Sequence, residues 1–157
     1  MEQTVIMCDT REKPKAIESI MRYFAKLDIK VVRTKLYAGD YQLLNNPFCV
    51  VDRKRNLLEL TQNVVQDHRR FAEELVRAGE LGITVIVLVE HGGDIKSIED
   101  VPGWINPRLK ESPLAVSGER LYKILRAMER TYHVRFEFCD KRQTGKRILE
   151  LLTEAAR

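Results

Sequence analysis

The chain has 157 residues, of which 44% are hydrophobic and 32% charged, a balance typical of one globular domain with a hydrophobic core. Its net charge of +4 favours a polyanionic partner without identifying one. No apolar run approaches the ~18 residues of a membrane span, and the first residues lack a secretory pattern, so we expect no membrane association. The three cysteines are far apart and lie among apolar residues, which indicates free thiols in a reducing, cytoplasmic compartment.

Hydrophobic periodicity predicts strands that alternate with helices along the chain. This alternation favours an α/β fold with a central mixed β-sheet flanked by helices, in one domain over residues 1–157. The predicted elements, in chain order, are a strand over 4–9, a helix over 13–27, a strand over 29–36, a hairpin over 39–54, a helix over 57–81, a strand over 83–91, a helix over 117–132, a strand over 134–138 and a helix from Thr144.

Two segments differ from this regular alternation. The strand over 83–91 is apolar on both faces, which suits the centre of a sheet covered on both sides. The segment 92–116 contains three glycines and three prolines and has no sustained period. It predicts a long loop with one helical turn at 97–101, and loops of this length are often functional.

The hairpin over 39–54 brings two carboxylates together. If its turn is centred on Asn46, Asp40 lies opposite Asp52 with the Cβ atoms ~4.5–5.5 Å apart. Alternation along the strand puts Lys54 on the same face as Asp52. Facing carboxylates need compensation, and their hard oxygens suit Mg²⁺. The pattern therefore predicts a metal site in which Lys54 orients a water or neutralises a phosphate, although solvated charges at a strand end remain the alternative.

The sequence Asp-Thr-Arg-Glu at the end of the first predicted strand could extend this site. Open α/β sheets bind ligands beyond the carboxyl ends of their strands. Asp9 and Glu12 could supply further oxygens, and Arg11 could contact an anion. Acidic residues before a helix also stabilise its dipole, so both interpretations stay open for Glu12.

Four motifs, in order, resemble those of a known nuclease family. Asp40 with Asp52-Arg53-Lys54 fits the PD-(D/E)XK pattern, and "DTRE", "GDY", "VVDRK" and "VIVLVEH" together resemble the nuclease domain of the XPF/MUS structure-specific endonucleases. "DHRRFAEELVRA" and "WINPR" resemble a compact phage or prophage form without the helix-hairpin-helix domain. The resemblance implies a restriction-endonuclease-like fold and a Mg²⁺-dependent endonuclease, with Mn²⁺ able to substitute. It also implies branched or flapped DNA as substrate, in a bacterial or phage-infected cell. The chain has no Walker or dinucleotide motif, so we expect no nucleotide cofactor.

The resemblance also assigns roles to individual residues. Asp40 and Asp52 correspond to metal ligands of the family, and Asp52 stands where the family has a glutamate. Lys54 corresponds to the catalytic lysine. Arg53 matches the arginine before it, which we count with the catalytic group although its role could be structural, through a pair with a neighbouring acid. Asp9 corresponds to an upstream acid near the metal.

The chain departs from the family pattern at one acidic position. Leu58 stands four residues after the lysine, where the family has an acid, and Glu59 follows one position later. One position turns a helical side chain by about 100°, so Glu59 does not simply replace that acid. Glu90 could be an outer ligand or a capping acid. The missing acid leaves open the alternative of a catalytically silent subunit that binds DNA or a nuclease partner.

Basic and aromatic residues beyond the motifs are candidates for DNA binding. Arg69 and Arg70 open the polar side of a predicted helix just after the site, where they could contact phosphates. Trp104 could stack on an unpaired base, with Arg108 and Lys110 on phosphates, or it could anchor its own loop.

Nuclease domains of the family pair through their later helices. The resemblance therefore implies a homodimer or heterodimer through the C-terminal helices. The last predicted helix has an apolar stripe that could form this interface, although the same stripe could pack on the protein's own sheet. The stripe consists of Ile148, Leu151, Leu152 and Ala155.

Overall fold

The structure is a computed structural model that describes residues 2–156. It contains a six-stranded mixed sheet flanked by helices, as the sequence predicts. The helices and strands, in chain order, are β1 (Val5–Asp9), α1 (Glu18–Lys26), β2 (Lys30–Thr34), β3 (Tyr41–Leu43), β4 (Asn46–Lys54), α2 (Leu57–Thr61), α3 (His68–Glu80), β5 (Thr84–Glu90), α4 (Gly118–Tyr132), β6 (Arg135–Cys139) and α5 (Thr144–Ala155).

The sheet has the strand order β2-β1-β3-β4-β5-β6. β3 pairs antiparallel with both β1 and β4, whereas the other pairs are parallel. β1, β4 and β5 consequently run in one direction and end at the same side of the sheet, where β3 begins. We call this end of the sheet, marked by Asp9, Lys54 and Glu90, the site edge.

Helices cover both faces of the sheet. One hydrophobic cluster lies between the sheet and the helices α1 and α5 and includes Phe24, Val51 and Ile148. A second cluster lies between the opposite face and the helices α2, α3 and α4 and includes Val50 and Phe71. Because side chains alternate along a strand, Val50 and Val51 contribute to different clusters. By the same alternation Asp52 and Lys54 lie on the face of Val50, and Arg53 lies on the face of Val51.

The single helix predicted over 57–81 is interrupted. A π-helical segment over Gln62–Gln66 separates α2 from α3, and the Asp67 N–H donates to the Gln62 carbonyl 2.8 Å away. This i to i+5 hydrogen bond adds one residue to the turn and changes the direction in which later side chains point. After this segment His68 is exposed, whereas Phe71 and Leu75 are buried.

The hairpin also differs from its prediction. Its turn consists of Leu44 and Asn45, and Leu43 pairs with Asn46, so the turn is not centred on Asn46. A bulge in β4 then shifts the register, and Tyr41 pairs with Val51. In the predicted hairpin Asp40 lies opposite Asp52, and the residues next to them, Tyr41 and Val51, are therefore also opposite each other, as in the structure. The predicted position of Asp40 across from Asp52 therefore holds, although the turn that leads to it is different.

The segment 92–116 contains the predicted helical turn and a second one. The first is a 3-10 helix over Ile98–Gly103, capped by Ser97, and the second spans Pro107–Lys110. Asn106 is buried between them, and its side-chain amide donates to the Val116 carbonyl 2.9 Å away. The segment is therefore folded against the domain along part of its length.

Of the two alternatives for the apolar stripe on the last helix, the structure shows packing on the protein's own sheet, and dimerisation stays a prediction. Ile148, Leu151 and Leu152 are fully buried in the cluster beneath α1 and α5, so they cover the protein's own sheet. Ala155 is exposed, but one alanine does not form an apolar surface. Among residues 2–156, no helix is both long and apolar enough to cross a membrane.

Candidate functional site

Asp40 is fixed by hydrogen bonds to two neighbouring strands. Its N–H donates to the Val51 carbonyl and its carbonyl accepts from the Asp9 N–H, both at 2.8 Å. Its carboxylate Oδ2 accepts from the Arg53 N–H at 2.7 Å. Gly39 makes this placement possible because its φ is +68° and an added Cβ would lie 2.9 Å from Val50. The "GDY" sequence thus places a carboxylate over the end of β4.

Asp52 and Lys54 lie on the same face of β4 as Val50. The Lys54 Nζ is 3.2 Å from the Asp52 Oδ2, and the two side chains are only 11% and 16% exposed. The Lys54 ammonium also lies 5.7 Å from the centre of the Phe71 ring, within the range of a cation–π contact. The structure therefore brings together Asp40, Asp52 and Lys54 as the sequence predicts.

The electrostatics of this group differ from those of surface charges. Burial and the charge of Asp52 raise the pKa of Asp40 to about 9, which favours its protonated form near neutral pH. Burial alone would lower the pKa of Lys54, but the charges of Asp52 and Asp40 raise it above its ordinary value. Lys54 therefore compensates the negative charge of Asp52. A second negative charge, on Asp40, would have no such partner and is disfavoured.

Arg53 points to the opposite face of β4 from its two neighbours and is buried. Its Nε and Nη2 donate to the two carboxylate oxygens of Glu12 at 2.7 and 2.9 Å, and its Nη1 donates to Glu90. Hydrogen bonds to these two acids raise the pKa of Arg53 although burial opposes its charge. Glu12 and Glu90, both predicted as possible ligands, are engaged in this buried cluster and hold the ends of β1, β4 and β5 together.

Asp9 is fully buried, and both of its carboxylate oxygens accept hydrogen bonds. Oδ1 accepts from the N–H and Nε of Arg11, while Oδ2 accepts from Arg11 Nη2 and from the Leu36 N–H. Burial opposes the charge of Asp9, but these bonds lower its pKa to about 2. Within the described range 2–156, no group of three or more acidic, histidine or cysteine side chains forms a metal site. The structure thus groups Asp40 with Asp52 but does not add Asp9, whose predicted role as a ligand stays a prediction.

Three adjoining depressions surround this group, and all three are lined by Asp52 and Arg11. Glu59 lines one of them, together with Asp40 and Asp52, and forms an ion pair with Arg55. Sequence reasoning missed several lining residues because helical periodicity assigned them to a core or to an ordinary polar surface. These residues are Asn63, Asp67, Phe71 and Glu74.

The predicted DNA-binding residues lie in two places. Arg69 and Arg70 are exposed at the start of α3, and Arg70 lines the same depression as Asp40 and Asp52. Arg108 and Lys110 are exposed in the second 3-10 helix of segment 92–116, whereas Trp104 is partly buried against the hydrophobic cluster. This position of Trp104 agrees with an anchoring role, and its stacking on a base stays a prediction.

Comparisons with known proteins place the chain in a family. The model of the ERCC4 domain matches residues 8–152. Two solved structures of XPF from Aeropyrum pernix, one in complex with DNA, are similar to this chain with a TM-score of 0.67 and 24% identity. Each similarity covers 98% of this chain but only 65% and 66% of the XPF chains, slightly less than two thirds. No curated protein matches. The XPF structures establish the fold, and the match over residues 8–152 shows that the chain belongs to the ERCC4 domain family.

Proposed function

We propose that this protein is a divalent-metal-dependent endonuclease that hydrolyses phosphodiester bonds in branched or flapped DNA. The observation that carries the proposal is the grouping of Asp40, Asp52 and Lys54 at the site edge. Membership of the ERCC4 domain family supports it. The similar XPF structure in complex with DNA supports DNA as the substrate class.

The chemistry of the donor set fits a divalent cation such as Mg²⁺. Asp40 and Asp52 present hard oxygen ligands. Burial and the charge of Asp52 raise the pKa of Asp40, so ionisation of Asp40 needs a further positive charge, which a bound cation would supply. Magnesium sites commonly use one or two carboxylates together with substrate phosphate, so two protein ligands are sufficient. When bound, the cation would supply Lewis-acid activation of the phosphate and lower the pKa of water.

The neighbouring cations of the chain suit the other requirements of the reaction. Lys54 is held by Asp52 with its ammonium near the carboxylates, so it can stabilise the negative charge that develops on the phosphate. Arg11 and Arg70 line the same depression and can contact the phosphates on either side of the scissile bond. Arg53 acts from behind the strand, because its pairs with Glu12 and Glu90 fix the backbone between Asp52 and Lys54.

The test combines cleavage with a measurement of metal binding. Labelled flap, fork, four-way and linear DNAs are incubated with the protein in Mg²⁺, in Mn²⁺ and in EDTA. We expect cleavage of the branched DNAs with either metal and none in EDTA. Asp52→Asn and Lys54→Met should each abolish cleavage. Only Asp52→Asn should reduce the rise in melting temperature on addition of Mg²⁺ or Mn²⁺, because Lys54 is not a ligand.

A matched control separates the site from a general change in charge. Glu80→Gln removes one acid at the exposed end of α3 opposite the site edge, so it should cut like the wild type. Cleavage by Asp52→Asn at the wild-type rate would place the active site elsewhere. A wild-type protein that binds branched DNA but cuts none, with any metal, would instead establish the silent binding subunit suggested by Leu58.

A further inference from the structure

Residues 105–114, in the second half of the segment 92–116, expose aliphatic side chains to solvent. Ile105 and Leu114 are 80% and 89% exposed, and Leu109 between them is 36% exposed. We call residues 105–114 the apolar loop. Single exposed leucines are common, but here three aliphatic side chains within ten residues are each at least 36% exposed.

The apolar loop is held in place from within. Asn106 is 1% exposed, and its side chain donates to the Val116 carbonyl and accepts from the Arg108 N–H at 3.0 Å. Trp104 packs on the hydrophobic cluster before the loop, and Gly118 follows it in close contact with the Trp104 carbonyl. An added Cβ at Gly118 would clash with that carbonyl oxygen. Both ends of the loop are thus fixed to the domain, while its aliphatic side chains face solvent.

The topology places the apolar loop at the same end of the molecule as the candidate active site. β5 and β6 are parallel neighbours, so α4, which connects them, must run back from the site edge to the opposite edge. The N-terminus of α4 at Gly118, and with it the end of the apolar loop, therefore lies on the side of the sheet where β4 ends in Asp52 and Lys54. α3 also connects parallel strands, so Arg69 and Arg70 at its start lie at this edge too.

Basic residues accompany the aliphatic ones. Arg108 and Lys110 are both exposed within the apolar loop, and Glu111 is the only acid of the loop. Proteins that kink or open DNA combine such cations, which hold the phosphates, with an apolar wedge that separates two base steps. The two cations in this short segment complement the charge of a phosphate backbone, which favours DNA as the occupant of this surface.

We propose that the apolar loop recognises the branch point of the DNA. Ile105 and Leu114 enter the step where base stacking is interrupted, and Arg108 and Lys110 hold the phosphates that flank it. A branch point already has unstacked bases, so insertion there costs less free energy than insertion into continuous duplex. The apolar loop would therefore favour branched over linear DNA. This inference rests on the proposed function, because it assumes that DNA lies along the site edge.

The test uses the full chain in EDTA, with a forked DNA and a duplex of the same length, each containing 2-aminopurine beside the position of the branch. The variant is Ile105→Ser with Leu114→Ser, and the matched control is Leu44→Ser, an aliphatic residue 59% exposed at the opposite edge. For the wild type and the control, binding to the fork should raise 2-aminopurine fluorescence. For the variant this rise should be absent, and affinity for the fork should fall by about tenfold or more, because two aliphatic side chains no longer bury apolar surface.

Affinity of the variant for the duplex should stay unchanged, because Arg108 and Lys110 remain. Replacement of Arg108 and Lys110 by glutamine should instead lower the affinity for the fork and for the duplex by similar factors. It should also reduce the salt dependence of binding. Melting temperatures verify that each variant folds, and the pair Ile105→Ala and Leu114→Ala repeats the measurement with a smaller change in polarity.

The outcomes distinguish the two proposals. If the wild type binds the fork and the serine variant equals it in affinity and fluorescence, the inference is wrong while the proposed function stands. If the wild type binds neither DNA, the proposed function fails and the inference fails with it. If sedimentation shows that the wild type self-associates and the serine variant does not, the apolar loop is a contact between copies of the chain and the inference is overturned.

Discussion

Replacement of Arg53 by methionine removes the cation at the centre of a buried cluster. The Arg53 side chain is 6% exposed, and those of Glu12 and Glu90 are 10% and 4% exposed. The variant would leave two carboxylates without their partner, in a space that water scarcely reaches. Loss of one partner from a buried pair costs about 3–5 kcal/mol of unfolding free energy. For a chain of this length, such a loss lowers the melting temperature by roughly 6–20 °C.

The free energy of unfolding is measured by urea denaturation of the wild type and of Arg53→Met. A triple variant, Arg53→Met with Glu12→Leu and Glu90→Leu, removes all three charges and should recover much of the lost stability, because no charge is left buried without a partner. Arg69→Met breaks an exposed pair with Glu73 and should change the melting temperature little. A loss below about 1 kcal/mol for Arg53→Met, the value typical of surface pairs, would refute this account of the cluster.

Two further predictions concern the stability of the metal-free protein and the last helix. The pKa of Asp40 is about 9 in the folded protein and near the ordinary 3.8 in the unfolded chain, so the folded state retains a proton that the unfolded state loses between these values. In EDTA the free energy of unfolding should therefore fall as pH rises from about 4 to about 9. Asp40→Asn should flatten this decline. An equally steep decline in the variant would contradict the assignment of the raised pKa to Asp40. Leu152→Ala should lower the free energy of unfolding by about 2–5 kcal/mol without changing the molecular mass in solution, because Leu152 is 1% exposed in the protein's own core. Urea denaturation and sedimentation check both results, with the exposed Leu114→Ala as the control.

The parts of the site that the sequence predicts are those determined by neighbouring residues. Alternation along one strand is enough to place Asp52 and Lys54 together, and a hairpin is enough to bring Asp40 across from them. Glu12 and Glu90 were ambiguous because their partner, Arg53, is far from both along the chain. The pairing depends on how β1 and β5 are arranged around β4, and no local pattern contains that information.

The parts that could not be predicted have physical causes of the same kind. A π-helical turn inserts one residue between α2 and α3, and the apolar pattern of Leu57, Val64 and Phe71 does not reveal where it occurs. The stripe of Ile148, Leu151 and Leu152 is equally apolar whether it faces a partner or the protein's own sheet. Trp104 fits both an anchor and a stacking residue, because one side chain can serve either purpose until its neighbours are known.

The position of β3 within the sheet has a consequence for how the molecule opens. β3 has three residues, yet in the described sheet it joins the pair β2-β1 to the group β4-β5-β6. Asp40, directly before it, adds hydrogen bonds to Asp9 on one side and to Val51 and Arg53 on the other. Any fluctuation that releases Asp40 from β4 therefore begins to split the sheet into two halves. We therefore expect Asp40 to be displaced when the sheet opens cooperatively and not when a strand end frays locally. Its position over the end of β4 should persist for as long as the domain stays folded.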